Sequence, residues 1–152
     1  MTTATRRPSP ADLANPSPNV RAARRQADLL APVELGPKRR FRWAYTLGIR
    51  RSGMTPHSRL VALTVAQYGN AQNGRINDER QPGLHRLAQD TGLPSGQVLV
   101  ALRVLESRGW VSITRPFTHD GRGLHTHVQP HIPRHALPHV DGARNERTTT
   151  DA

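Results

Sequence analysis

The chain has 152 residues, of which 35% are hydrophobic and 4% aromatic, so its size and composition suit one modest domain with polar extensions. The absence of cysteine excludes disulfides, thiolate metal sites and cysteine nucleophiles. No apolar run approaches the ~18 residues that span a bilayer, and the first residues lack the apolar stretch of a secretory signal. We therefore expect a cytoplasmic protein with no membrane partner.

The formal net charge of +11 favours nucleic acid or another anionic surface as a partner. Of this excess, +8 lies in residues 1–55, outside the segment with the strongest hydrophobic periodicity. Residues 1–37 are predicted to be a disordered basic arm, in which residues 21–30 have the composition of a short helix. Most of the positive charge is thus expected to flank the folded domain.

A lead-in segment over residues 38–54 combines aromatic and basic side chains. Phe41, Trp43 and Tyr45 alternate with other residues, which is the spacing of a strand and predicts three aromatic side chains on one side. These aromatic side chains are expected to pack as core. Three neighbouring arginines are candidates for contacts with nucleic-acid phosphates, with solvated surface charge as the alternative: Arg39, Arg40 and Arg42.

Three helices and a hairpin are predicted over residues 55–130. Thr55 before a proline starts the first helix, which continues to about residue 68. The second helix starts near Pro82 and stops at Gly92, and the third covers residues 95–108 with Gly109 as its left-handed cap. The third helix has an inward apolar side that a sequence period of 3.6 identifies.

Two strands are predicted to follow the third helix. They cover residues 110–114 and 124–128, with a turn over 115–123 between them. The proline- and histidine-rich residues 131–152 are predicted to be a disordered polar tail. The expected fold class is therefore mainly α with a small β-hairpin wing, flanked by a disordered basic N-terminal arm and a polar C-terminal tail.

Two short helices joined by a tight turn and followed by a hairpin define a winged helix-turn-helix arrangement. Three segments carry a resemblance to a known family: LVALTVAQYGN from Leu60, LHRLAQDTGL from Leu84 and VLVALRVLESRGWV from Val98. They resemble a bacterial winged helix-turn-helix family that is common in actinobacteria, phages, plasmids and integrated elements. The resemblance implies DNA binding, in small transcription regulators or in replication proteins.

The third helix would enter the major groove in such a domain. Six of its residues are predicted to face outward: Ser95, Gly96, Gln97, Leu99, Val100 and Arg103. Gln97 suits adenine, and Arg103 suits guanine or a phosphate. Leu99 and Val100 suit either thymine methyl groups or a protein partner. Two arginines around the wing turn are candidates for phosphate contacts: Arg115 and Arg122.

The leading prediction is a sequence-specific binder of double-stranded DNA that acts as a transcription regulator of a mobile element or its host. An accessory or initiator protein of plasmid or phage replication is an alternative, and so is a protein-interaction module with an acidic partner. A homodimer stays open. We expect no enzymatic activity, cofactor or metal site, and the histidines from His125 onward are interpreted as solvated.

Overall fold

The computed structural model describes residues 17–114 and 127–141 of the chain. Within these ranges the fold is mainly helical with one two-stranded antiparallel sheet. The helices are α1 (Pro18–Leu30), α2 (Phe41–Arg51), α3 (Pro56–Tyr68), α4 (Leu84–Thr91), α5 (Ser95–Ser107) and α6 (Leu137–Asp141), and the strands are β1 (Val111–Thr114) and β2 (His127–Pro130). Short 3₁₀ helices cover Asp78–Arg80 and Arg134–Ala136.

Helix α3 lies at the centre of the packing and contacts α2, α4, α5 and β2. Its start is the predicted one, since Thr55 is the N-cap and its Oγ1 accepts a hydrogen bond from the Ser58 backbone at 3.4 Å. Val61 and Val65 are completely buried, as the periodicity of the sequence predicts. Leu60 instead lies on the surface, 40% exposed.

Helices α4 and α5 are joined by residues 92–94 and pack against each other and against α3. Gly92 adopts φ +68°, the left-handed conformation that glycine reaches without a steric penalty, and this lets the chain reverse after α4. Leu87 from α4 is fully buried with Val98 and Leu105 from α5. This apolar contact fixes the angle between the two helices and leaves the other side of α5 outside.

The strand pair follows α5 through Gly109, whose φ of +75° confirms the predicted left-handed cap. Strands β1 and β2 pair antiparallel, from Val111 opposite Pro130 to Thr114 opposite His127. The second strand therefore extends two residues beyond the predicted end at 128. The predicted turn over 115–123 and the predicted first residues of the second strand lie outside the described residues.

The loop before α4 is attached to β2 by two glutamine side chains. Gln129 Oε1 accepts the Ile76 backbone N–H at 2.9 Å, and its Nε2 donates to the Ile76 carbonyl at 2.6 Å. Gln81 Oε1 accepts the Val128 N–H at 2.9 Å. These amide groups satisfy backbone polar atoms of Ile76 and β2 that lie next to the core, as a neighbouring strand would.

The strand spacing predicted for the aromatic lead-in is wrong, because residues 41–51 form helix α2. Phe41 and Tyr45, one helical turn apart, are buried and stacked with ring centroids 5.5 Å apart. A helix turns the residue between them to the other side, so Trp43 is 52% exposed. Two of the three aromatic side chains are core, and the third is surface.

The predicted disordered tail is also corrected, since residues 131–141 continue the folded domain. Ile132, Ala136 and Val140 repeat every four residues and are all buried. Pro133 precedes the 3₁₀ helix and Pro138 lies in the first turn of α6, where a missing N–H costs no intrahelical bond. The prolines thus shape this segment and do not prevent it from packing.

Helix α1 lies within the arm that was predicted to be disordered and is longer than the helix considered over 21–30. None of its residues is buried. Its C-terminal end is held by hydrogen bonds to the C-terminal segment, from the Val33 N–H to the Ile132 carbonyl at 2.9 Å and from the Arg134 N–H to the Ala31 carbonyl at 3.0 Å. Residues 31–33, which follow α1, are therefore joined to the C-terminal segment. No helix in the described ranges has the length and apolar character needed to cross a membrane.

Candidate nucleic-acid interface

Helix α5 has one side in the core and one side in solvent along its whole length. Val98, Ala101, Leu102 and Leu105 are buried. All six residues predicted to face outward are exposed: Ser95, Gly96, Gln97, Leu99, Val100 and Arg103. The 3.6-residue period therefore places this set correctly, and the structure brings its members together on one helix.

The outward side of α5 is more apolar than basic. Leu99 is 44% and Val100 64% exposed, and Gln97 and Arg103 are the side chains there that can hydrogen-bond to base edges. Arg103 Nη1 lies 3.1 Å from Glu106 Oε2, one turn further along α5. Because this ion pair is exposed, it is weak, and a phosphate or guanine can replace Glu106 at little cost.

The start of α5 carries no side-chain cap from the residues that the structure describes, and its N-cap position belongs to Pro94. The Ser95 and Gly96 N–H groups precede the first intrahelical bonds, which Gln97 and Val98 donate to the Pro94 carbonyl. No acidic residue lies in the first turn, so the positive end of the helix dipole faces outward without compensation.

The arginines of the lead-in segment separate into two groups. Arg40 is exposed at the start of α2, and Arg39 beside it is partly buried. Arg42 is directed inward: its Nη2 donates to the Gly69 carbonyl at the end of α3, at 2.7 Å. We assign Arg42 to the junction of α2 and α3, and Arg40 stays a candidate for a phosphate contact. Arg115 and Arg122 lie outside the described residues.

Two surface side chains of α2 were not among the predicted site residues. Trp43 and Arg50 both lie on its outer side and are exposed. The strand spacing assigned to residues 41–45 concealed the exposure of Trp43, because it placed Trp43 with Phe41 and Tyr45. A helical period applied to the same residues would have identified Trp43 as the outward one.

A side-chain hydrogen bond between a tyrosine and an aspartate links α3 to α4, the helix that precedes α5. The Tyr68 hydroxyl donates a hydrogen bond to the Asp90 carboxylate. The pKa of Tyr68 is raised, first by burial and then by this hydrogen bond and the Asp90 charge. Tyr68 therefore stays protonated and keeps its role as donor, which supports the orientation of the helix that precedes α5.

The histidines of the C-terminal segment make separate contacts and are not simply solvated. His135 Nδ1 is 3.1 Å from the Leu29 carbonyl, and its ring meets Trp110 edge-on. His131 Nε2 lies 2.9 Å from Ser112 Oγ, and burial lowers the pKa of His131. The described ranges contain no group of three or more side chains suited to hold a metal ion. The expectation of no metal site stays a prediction.

A cleft of about 720 Å³ lies beside β2, between the segment that follows α1 and the loop that follows α3. Glu34 and Arg75 lie among its lining residues, as does Gln129, whose amide is bonded to Ile76. We assign no ligand to this cleft. The outward side of α5 stays the strongest candidate for a functional surface.

Comparison of the chain with protein-family models, with curated proteins and with solved structures finds no match. The class of protein is therefore argued from the packing of α4 and α5, the strand pair and the surface of α5.

Proposed function

We propose that this chain binds double-stranded DNA sequence-specifically as a winged helix-turn-helix protein, with residues 95–108 in the major groove. The observation that carries the proposal is the disposition of α5. Its inner side is fixed by fully buried side chains, and its outer side is exposed over the full length of the helix. A rigidly held helix of ~10–12 Å diameter fits a groove ~12 Å wide.

Within this docking, each exposed residue of α5 has a definite chemistry. Gln97 pairs with adenine N6 and N7, and Arg103 exchanges Glu106 for guanine or a phosphate. Leu99 and Val100 contact thymine methyl groups. The uncapped N–H groups of Ser95 and Gly96 donate hydrogen bonds to a backbone phosphate, as the first turn of a helix commonly does.

The backbone of the duplex is contacted by charges outside α5. Arg40 contributes from the start of α2, and Arg115 and Arg122 contribute from the wing. The net charge of +11 supplies the long-range attraction, so affinity depends strongly on salt. Such a protein associates with the nucleoid while it is bound.

The role we favour is transcription regulation for a mobile element or its host. The alternative is an accessory or initiator role in plasmid or phage replication, which uses the same contacts on differently arranged sites. A homodimer on paired half-sites is compatible with either role. The second candidate function is a protein-interaction role for α5, with an acidic partner for the basic arm. The observation that favours it is the 64% exposure of the apolar side chain of Val100.

Selection of bound duplexes from a random library, followed by footprinting, tests the proposal. We expect one enriched sequence that includes adenine or guanine at the positions contacted by Gln97 and Arg103. Inverted half-sites would favour a dimeric regulator, and direct repeats would favour the replication role. Recovery of no enriched sequence would contradict sequence-specific binding.

Gly96 provides a separate prediction about how closely the start of α5 approaches the DNA backbone. A Cβ at this position meets no atom within 4 Å, so the fold does not require glycine there. We expect Gly96→Ala to raise the free energy of unfolding by about 0.5 kcal/mol, because alanine loses less backbone entropy in a helix. Gly96→Leu should fold equally well but weaken binding of the selected duplex at least tenfold, because its side chain occupies the space of the DNA backbone.

The two Gly96 variants are compared by chemical denaturation and by fluorescence anisotropy. Gly83→Leu supplies the control, because Gly83, the N-cap residue of α4, likewise has open space around its Cβ position. Unchanged duplex affinity in Gly96→Leu would mean that the start of α5 does not lie against DNA.

A further inference from the structure

One side of helix α2 combines an exposed tryptophan with arginines. Trp43, Leu47 and Arg50 follow one another at intervals of four and three residues, which places them along one line of the helix. Arg40 occupies the N-cap position, three residues before Trp43. We call these four residues the α2 stripe. Trp43 is 52% exposed, and Arg40 and Arg50 are exposed on either side of it.

The core does not require Trp43 at its position. Phe41, Ala44, Tyr45, Gly48 and Ile49 form the buried side of α2, and Trp43 points away from them. In the described ranges, the guanidinium groups of Arg40 and Arg50 have no hydrogen-bond or ion-pair partner. The stripe therefore leaves a large aromatic face and two cations in solvent, without a structural use.

The charged residues in the sequence around the α2 stripe are all positive. Residues 38–51 contain six lysines and arginines and no aspartate or glutamate. A cationic surface with an aromatic face complements a polyanion that has flat, apolar groups between its charges. Single-stranded nucleic acid has this chemistry, because its bases are free to stack on a side chain. In duplex DNA the bases stack on one another and are closed to the indole ring.

We propose that the α2 stripe binds single-stranded nucleic acid, with one base stacked on the indole of Trp43 and phosphates held by Arg40 and Arg50. The two arginines are ten positions apart in the sequence, which corresponds to about 15 Å at the rise of an α-helix. A short stretch of strand, centred on the stacked base, covers this distance. The contact is tolerant of sequence because every base has a flat face.

This site goes beyond the proposed binding of duplex DNA, since it is centred on Trp43 and Arg50 of α2 and shares only Arg40 with that docking. A protein with both surfaces would act where a duplex is opened and one strand is released. Confirmation of this second surface would change the favoured role from transcription regulation to the accessory or initiator role in replication.

Intrinsic fluorescence tests the site directly, because the chain has two tryptophans and the other, Trp110, is only 2% exposed. The full chain is titrated with a twelve-residue oligodeoxythymidylate under selective tryptophan excitation. We expect quenching by stacking on Trp43, and an emission in Trp43→Leu that does not respond. The affinity of Trp43→Leu, measured by anisotropy, should fall about 5- to 150-fold, as expected for the loss of one stacked base.

The variants distinguish base stacking on Trp43 from non-specific apolar binding and from electrostatic attraction to phosphates. Leucine keeps an apolar side chain at position 43, so an unchanged affinity in Trp43→Leu would overturn the proposal. Arg40→Ala with Arg50→Ala should weaken binding and reduce its salt dependence, because two phosphate contacts are lost. Leu60→Ala, which shortens an exposed leucine on α3, is the matched control and should bind the oligonucleotide as the unaltered chain does.

Other ligand classes give distinct results. Equal quenching by polyglutamate would assign the stripe to an acidic protein, and a blue shift with phosphatidylserine vesicles but no response to the oligonucleotide would assign it to a membrane surface. Either result overturns the proposal. Duplex binding is measured in parallel. Loss of single-strand binding in Trp43→Leu with duplex affinity intact supports the proposal for the α2 stripe. Failure of duplex binding by the unaltered chain, with single-strand binding retained, contradicts the proposed duplex docking and leaves the α2 stripe in place.

Discussion

A chain that ends at Pro130 is expected to lose its cooperative thermal unfolding transition. The truncation removes Ile132 and Val140, which are at most 2% exposed, and uncovers Trp110. Burial of each such aliphatic side chain contributes about 1.5–3 kcal/mol. The loss is on the order of 5 kcal/mol, comparable with the ~5–15 kcal/mol net stability of a small domain.

Hydrogen bonds add to the cost of this truncation. The His131 N–H to Trp110 carbonyl bond, 2.8 Å, and the bond that ties Val33 to Ile132 are both lost. A chain that ends at Asp141 keeps these contacts and is the matched control. Circular dichroism during heating distinguishes the two. Melting of the shorter chain within a few degrees of the control would contradict a structural role for residues 131–141.

Val100→Glu is expected to weaken binding of the selected duplex on the order of 10- to 100-fold. The side chain is 64% exposed, so the substitution costs little folding free energy. In the proposed docking, however, a carboxylate at this position faces the bases and phosphates of the major groove, where like charges repel and lose their hydration. The affinity should fall through faster dissociation, which stopped-flow anisotropy measures.

Leu60→Glu is the control for Val100→Glu, because it places the same charge at another exposed apolar residue, on α3. It changes the net charge equally and should reduce affinity only slightly. Equal losses in the two variants would mean that net charge alone governs binding. An unaffected Val100→Glu would remove α5 from the interface and favour its use as a protein-binding surface.

The helices α3, α4 and α5 could be predicted from the sequence because several independent signals agree there. Thr55, Gly92 and Gly109 mark the ends of helices with special backbone requirements, and the structure places all three in those roles. The apolar period of α5 identified both its buried and its exposed side chains. Local chemistry and long-range packing support the same assignment in this part of the chain.

The segments outside this unit were harder to predict because local signals there conflict. In α2, three aromatic residues alternate like a strand, while Tyr45 and Ile49 also repeat like a helix, and packing on α3 selects the helix. In residues 131–141, the prolines concealed the apolar repeat of Ile132, Ala136 and Val140. Since Pro133 and Pro138 lie where no helical N–H is needed, they do not interrupt the packing.

The candidate site shows a similar division. The outward residues of α5 follow from helical geometry alone, and no tertiary information was needed to find them. The side chain of Arg42 bonds to the Gly69 carbonyl, 27 residues away, and no local pattern in the sequence indicates this contact. The exposure of Trp43 depends on the same choice between strand and helix. Residues whose surroundings come from distant segments therefore required the structure.

The affinity for duplex DNA as a function of salt concentration tests the central claim most directly. The chain is titrated by fluorescence anisotropy with the selected duplex and with a random one, between ~50 and ~200 mM salt. We predict tighter binding to the selected duplex and a loss of about 10³- to 10⁵-fold in affinity over this range if 6–10 phosphates are contacted. Absence of binding to either duplex at the lowest salt concentration would contradict the assignment of α5 as a DNA-binding helix.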